Sequence, residues 1–178
     1  MKKGWKVKIL RPEEIYGSPE KYYTEEEILK YASSSHMRKT QQKLAKRIAE
    51  LLNAKPPAKV LDLGCGVGYS MQFFKEMGFE VIGIDILDKM LEFAKQRGLN
   101  VKKVDMRELP FHFTEKEFDY VISTSALQWI EIEEMRKVAK GCYYVLKDNG
   151  KLGIQFYPRS EEEMLKVGKI FKKAGFNI

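Results

Sequence analysis

The chain has 178 residues and a net charge of +7, long enough to bury a sizeable core and too short to divide into two ordinary domains. No apolar run approaches the roughly 18 residues that cross a membrane. Met1-Lys2-Lys3 leads into charged sequence, so neither a leader peptide nor a membrane anchor is expected.

Taken in order, the chain opens on a basic arm, Lys2 to Lys8, in which Val7 to Leu10 either pairs as a short strand or stays mobile. Pro12, Gly17 and Pro19 read as breaks in regular structure. Thr24, with Glu27 three residues on, is a capping box that starts a helix running to about Ser33. A second helix is expected from near His36 to Leu52, with Leu44, Ile48 and Leu51 at helical spacing and Lys39, Lys43 and Lys46 on a different face. Pro56-Pro57 ends it and leads into the first strand, which runs to Leu63. Glycines alternate from 64 to 68, a helix follows over Tyr69 to Met77, and a second apolar run ends on Asp85.

Asp88 reads as the cap of the next helix, whose Met90, Leu91 and Ala94 face the core, and Gly98 ends it. Val101 to Asp105 is a short third strand whose lysines suggest a guarded sheet edge. The fourth strand, Phe118 to Ser123, is expected to be buried on both faces and leads into Thr124 to Trp129. A helix carrying Ile132, Met135, Ala139, Cys142 and Leu146 comes next, then a turn at Lys147 to Gly150. The fifth strand, Lys151 to Phe156, is stopped by Pro158, and the last helix spans about Ser160 to Lys173.

Strands alternating with helices imply right-handed crossovers and an α/β fold built on a mainly parallel sheet. With strands two and three on one side of the first and four and five on the other, the order is 3-2-1-4-5. The ligand crevice then opens above strands one and four, where the order reverses. Asp62 to Gly68 and Ser123 to Trp129 would face each other across it. The charge follows the same division: residues 1–57 hold 13 Lys/Arg and 7 Asp/Glu, residues 58–178 hold 19 and 18. The positive field belongs to an N-terminal extension with helices packed on a nearly neutral core.

The stretch from Val60 to Asp85 is strand, tight turn, helix, strand, with a carboxylate about 20 residues beyond the first strand, as in nucleoside-binding βαβ units. Asp85 would accept hydrogen bonds from both hydroxyls of a ribose. A dinucleotide fingerprint would need glycine at position 69, where the chain has Tyr69. The glycines fall instead at 64, 66 and 68, with Asp62 inside the strand two residues before the first. This form resembles motif I of the class I S-adenosylmethionine (SAM) methyltransferases, which have a Rossmann-like fold with helices on both faces.

The flanks resemble one branch of that superfamily. Arg11-Pro12-Glu13, Pro19-Glu20 with Tyr22-Tyr23, Tyr31, Ser35, Met37, Gln41 and Arg47 before Glu50-Leu51-Leu52 are similar to the N-terminal signature of the small-subunit ribosomal RNA guanine-N7 methyltransferases. Ser123 to Trp129 and Gln155-Phe156-Tyr157-Pro158 resemble its two later signatures. The likeness implies SAM as methyl donor and an rRNA guanine as acceptor. It also implies a small zinc-finger activator protein docking along the third strand. The cofactor site implied comprises Tyr31, Asp62, Gly64, Cys65, Gly66, Gly68, Asp85, Ile86, Met90, Asp105, Met106 and Ser123. The substrate side comprises Ser125, Gln128 and Trp129. Class I enzymes normally finish with a strand pair after the last helix, and only Phe176, Asn177 and Ile178 follow Gly175, so either the sequence is truncated or the fifth strand is an uncovered edge.

Guanine N7 offers a free lone pair and no proton to remove, so the reaction needs alignment rather than a general base. His112, between Phe111 and Phe113, reads as structural, and His36 as a residue between helices that could line the site. Trp129 either stacks on the guanine or sits in the core under the following helix; Ser125 and Gln128 are candidates for reading the base edge. The lysine face of the second helix is either plainly solvated or a guide for RNA. Cys65 and Cys142 lack a C-x-x-C companion, which favours free thiols in a cytoplasmic protein and gives the chain no zinc site of its own. Two other readings share these residues: a small-molecule methyltransferase acting on a quinone precursor, and a ribosome-assembly scaffold whose methyl transfer is dispensable.

Overall fold

A computed structural model describes residues 4–178; Lys2 and Lys3 of the basic arm lie outside it. Trp5 to Val7 runs beside the segment before the last helix. The Val7 N–H donates to Arg159 O at 2.8 Å, and Lys6 bridges Ser160 in antiparallel fashion. Pairing therefore falls over Trp5 to Val7 and does not continue to Leu10.

Two short helices follow where breaks were expected: α1 (Pro12–Tyr16) and α2 (Pro19–Tyr22). Each proline stands in the first helical turn, where its missing N–H costs nothing and its fixed φ suits the helix. Gly17, left-handed at φ 75°, then closes α1. Helix α3 (Glu25–Ser33) starts as expected, with Thr24 Oγ1 accepting from the Glu27 N–H. Helix α4 (Ser35–Leu52) buries Gln41, Ala45 and Ile48, whereas Leu44 is half-buried and Leu51 is exposed. The apolar face is turned because Ile48 and Leu52 pack on Gly153, where there is no Cβ to hold the helix off. Lys39, Lys43 and Lys46 are exposed.

The core elements are β1 (Lys59–Leu63), α5 (Tyr69–Glu76), β2 (Glu80–Asp85), α6 (Asp88–Gln96) and β3 (Asn100–Lys103). Next come α7 (Leu109–His112), β4 (Phe118–Thr124), a 3₁₀ turn at Leu127–Trp129, α8 (Met135–Val145), β5 (Leu146–Gln155) and α9 (Glu161–Ala174). The described residues form a five-stranded sheet of order β3-β2-β1-β4-β5, all neighbours parallel. The sheet order and the edge position of the third strand are those read from the sequence. One cluster, with Leu61, Leu63, Phe118, Leu127, Val138 and Phe171, fills the side under α8 and α9. A second, with Ala45, Val60, Met71, Phe74 and Leu91, fills the side under α4, α5 and α6.

Three local expectations are corrected. Asp88 is the first residue of α6, with Leu87 at the cap position, and its carboxylate pairs with Lys103 at 2.6 Å. The helix expected from Ile132 begins at Met135. Lys147 to Gly150 is not a free turn but extra chain within β5: Phe118 faces Leu146 and Tyr120 already faces Lys151. The Lys147 ammonium anchors that excursion on Asp119 at 3.0 Å.

Among the described residues β5 pairs only with β4, and a groove of about 1280 Å³ runs along its outer side past Leu51, Tyr143, Leu165 and Phe176. An uncovered edge is among the outcomes expected. Among the same residues no helix is long and apolar enough to cross a membrane.

Candidate functional site

A cavity of about 430 Å³ opens above the carboxyl ends of β1, β2 and β4, at the point where the strand order reverses. Its floor is the glycine turn after β1. The turn is closed by the Cys65 N–H donating to Ile84 O and the Gly68 N–H to Cys65 O, both at 2.9 Å. Gly64 stands at φ 68°, and a Cβ there would meet that of Ala126 at 2.5 Å. Glycine is thus required by both backbone conformation and the close approach of the loop after β4.

Asp85 ends β2 at the rim. Its Oδ2 accepts from the Gly66 N–H and its Oδ1 from the Leu87 N–H, both at 2.9 Å. Burial raises its pKa above the ordinary carboxylate range, and these main-chain donors act against that rise. Each oxygen keeps a lone pair for a hydroxyl. Asp62 lies deeper, 1% exposed, with neither carboxylate oxygen hydrogen-bonded. Burial pushes its pKa well above the usual value and the Asp85 charge adds to the effect. A carboxyl held this way is favoured in its neutral, protonated form.

Across the cavity stands the loop after β4. Ser125 takes a left-handed φ of 54° and is tied to Gln41, Gln128 and Gln155. Trp129 is half-buried and meets Tyr22 in a stacked arrangement at 5.8 Å and Tyr23 at 6.0 Å. It is a wall of the cavity rather than a core residue under α8. The roof is the N-terminal segment: Gly17 to Glu20, Tyr23 and Tyr31. Burial pushes the Tyr23 phenol up to about 12, and that of Tyr31 rises further for the same reason, so both rings stay neutral. The Tyr69 hydroxyl fixes the end of α3 by bonding to the carbonyl oxygens of Tyr31 and Ala32. Arg11 clamps α1 to the carbonyl oxygens of Tyr157 and Pro158.

Of the residues expected at the site, Tyr31, Gly64, Cys65, Gly66, Asp85, Ile86, Met90, Asp105, Met106, Ser125, Gln128 and Trp129 line this cavity. Asp62, Gly68 and Ser123 do not. Gly68 packs under Leu99 at φ 91°, and the Ser123 hydroxyl donates to Leu63 O inside the sheet. Asp105 is turned toward Arg107, which lowers its pKa against the opposing effect of burial. Neither histidine reaches the cavity: His36 is exposed on α4, and the exposed His112 lies 3.7 Å from Glu108. Lining residues given no role from the sequence include Glu20, Tyr23, Gln41, Tyr69, Thr124 and Tyr157. Tyr23, Gln41 and Tyr157 lay within the matching signatures, but no spacing rule aims an N-terminal helix at a distant crevice.

Residues 60–150 match the family described as a methyltransferase domain. The chain belongs to the methyltransferase-domain family. This methyltransferase domain is 32% identical to the 18S rRNA (guanine-N(7))-methyltransferase of Schizosaccharomyces pombe, over 93% of this chain and 66% of that protein. It is 33% identical to the 18S rRNA (guanine(1575)-N(7))-methyltransferase of Saccharomyces cerevisiae, over 94% of this chain and 64% of that protein. The chain thus spans a little under two thirds of the length of these curated relatives. The fold matches the crystal structure of the PH0226 protein of Pyrococcus horikoshii OT3 with a TM-score of 0.72 at 24% identity, covering 85% of this chain and 89% of that one.

Proposed function

We propose that this methyltransferase domain transfers a methyl group from SAM to N7 of a guanine in small-subunit ribosomal RNA. The observation that carries the proposal is the single cavity wall-to-wall: a glycine turn and rim carboxylate on one side, Trp129 and the Ser125 loop on the other. The names of the curated relatives support the acceptor.

The residues present fit the cofactor. Asp85 has acceptor capacity for a ribose, and the open side of Gly66 leaves room for the cofactor to approach the turn. When bound, SAM supplies an electrophilic methyl group on a sulfonium. Tyr23 and Tyr31 exclude water above it, and the Ser125 loop with Trp129 orients the acceptor. N7 reacts through its own lone pair, so no side chain has to take a proton, in keeping with both histidines lying off the cavity.

In this reading the exposed Lys39, Lys43 and Lys46 of α4 attract the RNA backbone, and the reaction takes place in the cytoplasm, in keeping with two free, buried thiols. A small zinc-finger activator protein docks on β3 by strand addition; among the described residues its outer side has no strand partner. Val101→Pro is expected to abolish co-purification with the activator while leaving cofactor affinity unchanged, and co-purification that persists would remove β3 as the docking strand.

The decisive assay treats small-subunit rRNA with the protein, SAM and activator and reads nucleosides by mass spectrometry. New 7-methylguanosine is expected. A methyl group on another atom, or only on a small molecule, would overturn the assignment.

A further inference from the structure

Ser125 is the hub of three glutamines, and its own atoms fix which way each amide faces. Its N–H donates to Oε1 of Gln155 at 2.9 Å, and its hydroxyl donates to the same oxygen at 3.0 Å. The hydroxyl, having spent its proton, can only accept from Gln41, whose Nε2 lies 3.2 Å away. The Ser125 carbonyl can only accept as well, and Gln128 Nε2 donates to it at 2.8 Å. Gln41 and Gln128 are therefore both tethered through nitrogen, which turns both amide oxygens away from Ser125. Gln128 Oε1 is buried without any partner, and Gln41, 4% exposed, accepts no hydrogen bond among the described residues. Both residues line the cavity. One fully buried acceptor, Gln128 Oε1, and a second without a donor among the described residues, Gln41 Oε1, are tethered to one serine and together call for two donors.

We propose that Gln41 and Gln128 form a paired-acceptor clamp that reads the pairing edge of the substrate guanine, an inference that rests on the rRNA guanine reading above. Guanine carries two adjacent donors on that edge, N1–H and the 2-amino group. Adenine carries one donor beside a bare ring nitrogen, which two acceptors repel. Adenine has an N7 lone pair too, so the reacting atom cannot distinguish the purines and the other edge must. Ser125 is then a positioning residue rather than a reader of the base: its hydrogens are spent on Gln155, and its carbonyl and hydroxyl oxygens hold the two amides. Its left-handed backbone, strained for a residue with a Cβ, is what presents N–H, carbonyl and hydroxyl to three different side chains.

The test compares kcat/KM for methyl transfer to single-stranded RNA oligonucleotides whose central base is guanine, hypoxanthine (lacking the 2-amino donor) or adenine. The wild-type chain should favour guanine over hypoxanthine by about tenfold, the value of one well-made hydrogen bond, and over adenine by more. Gln41→Leu and Gln128→Leu should each lower the guanine-to-adenine ratio about tenfold, with calorimetric affinity for S-adenosylhomocysteine unchanged. Ser125→Gly suits the backbone and keeps the main-chain anchor of Gln128 but releases Gln41, so it should lower the guanine-to-adenine ratio about as far as Gln41→Leu does. The hypoxanthine comparison needs no variant: equal rates on guanine and hypoxanthine in the wild type would overturn the clamp. Transfer to guanine N7 with ratios unchanged in both leucine variants would sink the clamp alone. Failure to methylate any guanine-bearing RNA would take the rRNA reading and the clamp together.

Discussion

Asp85→Ala is expected to weaken binding of S-adenosylhomocysteine by roughly 2–4 kcal/mol, from the loss of charge-assisted bonds to two ribose hydroxyls. The same carboxylate also holds the floor, since its oxygens accept from the Gly66 and Leu87 N–H groups. Part of the loss will therefore come from a loosened turn, and thermal melting of the variant separates that part. The pH dependence gives an independent readout. Burial raises the Asp85 pKa, so on acidification the carboxylate takes up its proton earlier than an exposed aspartate would. Affinity should fall as the pH is lowered through that raised pKa, and the fall should be absent in Asp85→Ala. For stability the sign is opposite. A buried carboxyl with a raised pKa contributes most when protonated, so its contribution shrinks as the pH rises above the unfolded value. Unchanged affinity in the alanine variant would remove Asp85 from the site.

The sheet was readable from the sequence because the strands other than β3 carry apolar runs closed by a glycine, a proline or a polar residue, and parallel topology follows from the alternation with helices. The glycine turn and the rim carboxylate were readable for a related reason. Glycines at 64, 66 and 68 and a carboxylate at 85 act through local backbone geometry, which spacing encodes. What spacing does not encode is where a distant helix lands. Gln41 sits 84 residues before Ser125, and the packing of α4 on α5 and on the sheet at Gly153 brings the two together. The face of α4 was read only in part for the same reason: Ile48 is buried as its spacing suggests, but Leu44 is half-buried, Leu51 is exposed, and Leu52 packs on Gly153 beside Ile48. Ser125 lines the cavity as expected, and its hydrogen-bond partners were not foreseen. Nothing in the tract Ser123 to Trp129 shows that one serine is bound to three glutamines from three elements.

Trp129→Ala is expected to depress methyl transfer to RNA far more than affinity for the cofactor. The Trp129 ring lies at the end of the 3₁₀ turn, on the side proposed for the substrate, while the Asp85 carboxylate, proposed to hold the ribose, stands on the opposite rim. Stacking of a base on an aromatic face contributes roughly 1–3 kcal/mol, so the loss in kcat/KM should fall between several-fold and a hundredfold. Tyr22 stacks on Trp129 at 5.8 Å, and Tyr23 meets both rings. An incoming base that uses the face occupied by Tyr22 has to displace that ring, and α2 with it. Tyr22→Ala then separates two roles for the aromatic cluster. If Tyr22 blocks the platform, its removal should raise kcat/KM for a short single-stranded RNA. If it is the second half of a sandwich around the base, its removal should lower kcat/KM as Trp129→Ala does. In either case cofactor affinity stays near the wild-type value. A Trp129→Ala variant that loses cofactor affinity and transfer in equal proportion would show the ring to be structural support for the cavity rather than the seat of the base.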